Sequence, residues 1–122
     1  MAQINKSSEY FNTKLYTGDG TDGRGITGVG FQPDWCWFKA RSTAYENQVY
    51  DVVRGATKRL VTNDNTAEGT QTNGLQSFDS DGFTVGNANG TNVNAVTYAS
   101  WNWLAGGTGV SNTDGSITST VS

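Results

Sequence analysis

Eleven carboxylates and one thiol, with no histidine beside them, set the chemistry open to this 122-residue sequence. Without an imidazole the commonest general base and metal ligand is missing, so a Ser-His-Asp arrangement cannot be assembled. Cys36 lies between Trp35 and Trp37 with no basic partner, which predicts a small buried hydrophobe rather than a nucleophile. No second cysteine exists for a disulfide within the chain. Paired acids remain to be weighed, since glycoside hydrolysis needs two carboxyl groups roughly 5 to 10 Å apart. Asp19, Asp22, Asp79, Asp81 and Asp114 each sit beside Gly, Ser or Asn-like turn residues, where turn formation accounts for them. The run Asp79, Ser80, Asp81, Gly82 has the alternating oxygen ligands and permissive glycine that open a calcium loop, yet no bidentate glutamate follows. An Asx-rich turn is expected there, with a structural calcium near Asp79 and Asp81 as the alternative. The glycine-rich residues 18–30 lack the Lys-Ser or Lys-Thr ending of a phosphate loop. No catalytic residue and no cofactor is expected.

The remaining chemistry is aromatic. Tyr45, Tyr50, Tyr98 and Trp103 are the side chains that would stack on sugar rings if they face solvent; otherwise they fill the core or a subunit contact. What must position them is a set of strands. Alternate residues of a strand face opposite sides, so a strand that starts at Pro33 and emerges into water at Lys39 and Arg41 places Trp35 and Trp37 on one face and Cys36 and Phe38 on the other. Pro33 fixes the start of that strand, because proline is tolerated only at a strand's first residues or edges. Residues 96–104 repeat the pattern, with Thr97, Ala99, Trp101 and Trp103 sharing a face and Val96, Tyr98, Ser100, Asn102 and Leu104 the other. At least one of the two tryptophan pairs is expected between sheets. Gly30, Pro33, Trp35, Trp37, Phe38 and Trp101 are therefore the expected structural core.

Further strands are expected over residues 9–17 and 48–53, and residues 56–62 fit either another strand or a single turn of helix, since periodicity does not separate the two in so short a run. A hairpin joins residues 75–78 to 83–85 through the turn at 79–82. Residues 63–73 and 86–94 read as polar loops, the second with almost nothing to offer a core. Short strands separated by turn signals, with no alternation of strand and helix, predict an all-β antiparallel sandwich, most plausibly a jelly roll. The chain divides into an N-terminal arm (1–8), one β-sandwich domain (9–107) and a Gly/Ser/Thr-rich arm or edge strand (108–122).

A formal charge of −3, with no basic run longer than Lys58 and Arg59, argues against nucleic acid as partner, which needs a concentrated basic surface. Residues 1–10 lack the apolar centre of a signal peptide, and no apolar run reaches membrane-spanning length. The expectation is a protein made and folded inside a cell and not embedded in a membrane.

Five segments taken together, YFNTKLYTGDG, ITGVGFQPDWCWFKARS, VYDVVRGATKRL, LQSFDSDGFTVG and YASWNWLAGG, resemble a domain that recurs in structural proteins of tailed phages, especially tail-fibre and other appendage proteins. The likeness is collinear over roughly residues 9–107. It implies a concanavalin-like, LamG-like jelly roll without catalytic residues, hence a virion component made in the host cytoplasm. Capsid decoration or a tail-fibre role follows, with other virion proteins as partners and a homo-oligomer, a trimer by preference. The final GTGVSNTDGSITSTVS looks like a connection into a following segment or a strand completed by a neighbouring subunit, and an open edge invites pairing. The alternative is a lectin-like module that recognises a host surface glycan.

Overall fold

The computed structural model describes residues 7–105, 110–112 and 119–121. A 3₁₀ turn at Ser7–Glu9 leads into eleven strands: Phe11–Thr17 (β1), Arg24–Thr27 (β2), Trp35–Ala40 (β3), Gln48–Asp51 (β4), Lys58–Val61 (β5), Gly69–Thr70 (β6), Leu75–Asp79 (β7), Gly82–Val85 (β8), Thr97–Trp103 (β9), Val110–Asn112 (β10) and Ser119–Val121 (β11). One antiparallel sheet runs β1-β9-β3-β4-β5-β6 and a second runs β2-β8-β7. The chain is thus an all-β antiparallel sandwich. The expected hairpin is present, with Phe78 opposite Phe83 and Asp79 opposite Gly82. Within the predicted arm at 108–122, β10 and β11 pair with each other in a separate two-stranded sheet. Most of the predicted N-terminal arm lies outside the described residues. Arg24–Thr27, which straddles the loop expected over residues 18–25 and the short link expected over 26–30, forms β2 because it pairs with β8 along its length.

The core lies between the two main sheets and is made by Ile26, Val29, Phe31, Cys36, Phe38, Tyr50, Leu75, Phe83 and Val85. Phe38 couples the layers. Its ring meets Phe83 of the small sheet edge-on at 5.0 Å and Tyr50 of its own sheet at 5.8 Å. Pro33 is fully buried just ahead of β3, as expected.

The tryptophans are not in this core, which corrects the expectation for Trp35, Trp37 and Trp101. In register, Trp103 stands opposite Trp35 and Trp101 opposite Trp37, and their parity is opposite to that of the buried Cys36 and Phe38. Both pairs therefore lie half-buried on the outer face of the large sheet. The inner face of β9 holds Tyr98, Ser100 and Asn102, all buried. Most of their polar groups are satisfied locally: Asn102 Nδ2 donates to the Asn12 carbonyl (3.1 Å) and Ser100 Oγ to that of Lys14 (3.4 Å), while Asn102 Oδ1 has no donor among the described residues. Hydrogen-bonded polar side chains can be buried at little net cost, so the more polar face of β9 went inward.

Residues 86–94 also depart from expectation. Ala88, Thr91 and Asn92 are buried. The Asn92 amide accepts from the Asp19 N–H (3.1 Å) and from Arg24 (3.2 Å) and donates to the Thr21 carbonyl (2.9 Å). One side chain thereby ties two loops together.

Gly30 contributes conformation rather than burial, since it is exposed with φ at +93°, a region costly for other residues. Its N–H donates to Asp81 Oδ1 (2.7 Å), and that of Gly28 to Asp81 Oδ2 (3.1 Å). These two backbone donors, Gly30 first, hold the Asp81 carboxyl below its ordinary value of 3.8. A depressed carboxylate contributes stability above its unfolded pKa, and the contribution is lost as pH falls through the folded value. Asp81→Asn should therefore lower the urea midpoint at neutral pH, with a narrower gap to the parent at an acid pH below the ordinary carboxylate value. An equal gap at both pH values would contradict this role.

Candidate functional site

Two surfaces stand out, one on each side of the large sheet. On the outer side, Phe11, Trp103 and Trp35 form one row across β1, β9 and β3, and Trp101 with Trp37 the next. The rings touch in sequence: Phe11 to Trp103 at 4.7 Å, Trp103 to Trp35 at 4.3 Å, Trp35 to Trp37 at 6.4 Å and Trp37 to Trp101 at 5.4 Å. Edge-on and tilted arrangements at these spacings are favourable for aromatic pairs. The patch is extended by Leu15 on β1, 57% exposed. Its indole donor Trp37 Nε1 is inaccessible to solvent and has no acceptor among the described residues. Contiguous apolar patches of this kind mark interaction surfaces more often than scattered exposed residues do.

On the inner side of β4 and β5 opens a polar cleft of about 490 Å³. Four separate segments build it. Ala44, Tyr45, Glu46 and Gln48 come from the approach to β4, Arg59 from β5, Gln71 and Asn73 from the loop after β6, and residues 87–90 from the loop after β8. Glu46 and Arg59 pair at 3.2 Å. Gln71 Nε2 donates to Asn73 Oδ1 (2.6 Å), whose Nδ2 donates in turn to Asn87 Oδ1 (2.9 Å). Gln48, only 3% exposed, accepts the Tyr50 hydroxyl proton on Oε1 (2.6 Å).

Of the four aromatics expected to meet a ligand, the structure gives a single one to this cleft. Tyr45 is half-buried on its wall. Tyr50 and Tyr98 are fully buried, so of the two alternatives they take the core, which rules them out as residues that stack on a ligand. They act from behind: Tyr50 holds Gln48, and the Tyr98 hydroxyl donates to the Asn89 carbonyl (2.8 Å) and accepts the Val93 N–H (2.9 Å), fixing the loop that carries Asn87. Trp103 belongs to the outer patch. Gln48, Gln71, Asn73, Asn87 and Arg59 were not singled out in the sequence.

The calcium alternative finds its ligands engaged. Asp79 accepts from Ser77 (2.8 Å) and Thr84 (2.6 Å), Asp81 takes the two backbone donors, and no group of three acidic, His or Cys side chains gathers among the described residues. Burial pushes the Cys36 thiol up, so it is held in the unreactive protonated form. No helix among the described residues is long and apolar enough to cross a membrane.

Fold and surfaces together define a small all-β sandwich that carries an aromatic sheet face and a polar cleft. The chain belongs to the DUF7483 family, a domain of unknown function, whose sequence profile matches residues 6–122. No curated protein and no solved structure matches it.

Proposed function

We propose that the chain is a non-enzymatic structural module of a tailed-phage virion, a capsid decoration or tail-fibre component of jelly-roll type, which assembles by packing its outer aromatic face against copies of itself. The observation that carries this is the tryptophan face. Four indoles and Phe11 lie outside the core of a sandwich whose interior is already filled by other residues. Aromatic side chains are enriched where subunits meet, and a neighbour would remove from water the area that the small sheet does not cover. The resemblance of residues 9–107 to appendage domains supports the same reading. So does the paucity of acid-base chemistry: the sequence has no histidine, and among the described residues the cleft holds one carboxylate, already paired.

Light scattering after size exclusion tests it. The parent chain should run as a closed oligomer, a trimer by preference. Leu15→Glu places a charge on the outer face at an exposed position, so it should yield monomers while shifting unfolding stability by no more than about 0.5 kcal/mol. A parent that stays monomeric at high concentration would refute self-assembly through this face.

A further inference from the structure

We infer that the cleft beside Tyr45 is a binding site for a neutral saccharide. This stands apart from the assembly proposal, because the cleft opens on the opposite side of the sheet from the tryptophans. Its volume, about 490 Å³, lies within the roughly 300–1,000 Å³ of small-molecule sites, but its lining is unlike that of a pocket for an apolar ligand. The side chains that converge are primary amides, and each amide offers an acceptor oxygen and two donor hydrogens. A sugar hydroxyl both donates and accepts, so a row of amides matches a row of hydroxyls in either direction.

The amides are already arrayed. The chain of bonds Gln71 to Asn73 to Asn87 fixes three of them and leaves Gln71 Oε1 and Asn87 Nδ2 as its two ends, one acceptor and one donor. Gln48 forms part of the floor with its Oε1 committed to Tyr50. Gly90 keeps this floor open, since a Cβ there would overlap the Gln48 amide. Side chains held before the ligand arrives lose less freedom on binding.

Charge selects the class. Among the described residues the lining carries one acidic and one basic side chain, Glu46 and Arg59, bonded to each other. A phosphate, sulfate or uronate would have to break that pair to gain a cation, whereas an uncharged sugar leaves it intact. Tyr45 adds a half-buried ring on the wall, against which the C–H face of a pyranose can lie. Among the described residues the cleft carries a single carboxylate and so lacks the second acid that glycoside hydrolysis requires, which fits a site that binds without cleaving.

The test uses the full chain and saturation-transfer NMR with glucose, galactose, mannose, N-acetylglucosamine and maltose at millimolar concentration, and N-acetylneuraminic acid as the charged probe. At least one neutral sugar should bind saturably. Tyr45→Ala and Gln71→Ala should each weaken it by about tenfold or more, with thermal unfolding close to the parent's. Gly90→Ala should abolish binding; if that variant does not fold, the other two carry the test. Silence from every neutral sugar overturns the inference, as does binding of the acidic sugar alone or undiminished binding by Tyr45→Ala.

Discussion

Phe38→Ala should cost about 3–5 kcal/mol, the range for emptying an aromatic site in a sealed core, and so consume a large part of the 5–15 kcal/mol typical of a domain's stability. The reason is position. Phe38 is 0% exposed and its ring contacts Phe83 across the interface between sheets as well as Tyr50 beside it. Removing it leaves a void walled by both layers, and close-packed neighbours relax into such a void only partly. Trp101→Ala, although it deletes a larger side chain, should cost less, about 1–2 kcal/mol, when both changes are compared in the monomeric Leu15→Glu background, because there a gap on the outer face fills with water and leaves no sealed cavity. Urea unfolding decides the order: the midpoint should drop further for Phe38→Ala than for Trp101→Ala, with the slope unchanged in both. The reverse order would place the indoles inside and undo the assignment of faces.

That inversion also shows what the sequence could disclose. Parity along residues 35–40 and 97–103 is a local property, so the sharing of a face by Trp35 with Trp37, and by Trp101 with Trp103, was legible at once. Which face receives the second sheet is not local. It depends on Ile26, Leu75, Phe83 and Val85 arriving from other segments, and hydrophobicity alone pointed the wrong way because Ser100 and Asn102 find backbone partners on β1. The hairpin at 79–82 was legible because turn chemistry is written in consecutive residues. Asn92 was not, since nothing in a polar loop distinguishes an exposed amide from one that bonds a second loop. For the same reason Tyr45 could be proposed by residue type, whereas the cleft around it joins four stretches that only the fold brings together.

The second large effect is expected in alkali. Burial pushes the Tyr50 phenol up to about 12 from an ordinary value of 10.0, and burial first, with Tyr98 next, raises Tyr16 as well. A raised phenol means that the folded chain keeps its proton where the unfolded chain has lost it. Stability from these groups is therefore whole below pH 10 and declines as pH rises through the folded value. For Tyr50 alone the decline across this window is on the order of 3 kcal/mol, and Tyr16 acts in the same direction. The chain should unfold cooperatively on titration above pH 10, with tyrosinate absorbance of the buried rings rising together with the loss of near-UV dichroism. Tyr50→Phe separates this linkage from general base damage. At neutral pH it should be less stable than the parent, because Gln48 Oε1 loses the hydroxyl that it accepts from and a buried unpaired acceptor costs about 1–3 kcal/mol. As pH rises the gap should narrow, since the variant has no phenol at this site to ionise on unfolding. A gap that stays constant from neutral pH into alkali would show that Tyr50 does not carry the linkage. The same substitution frees the floor of the cleft, so a parallel loss of saccharide binding at neutral pH would tie the buried phenol to the site in front of it.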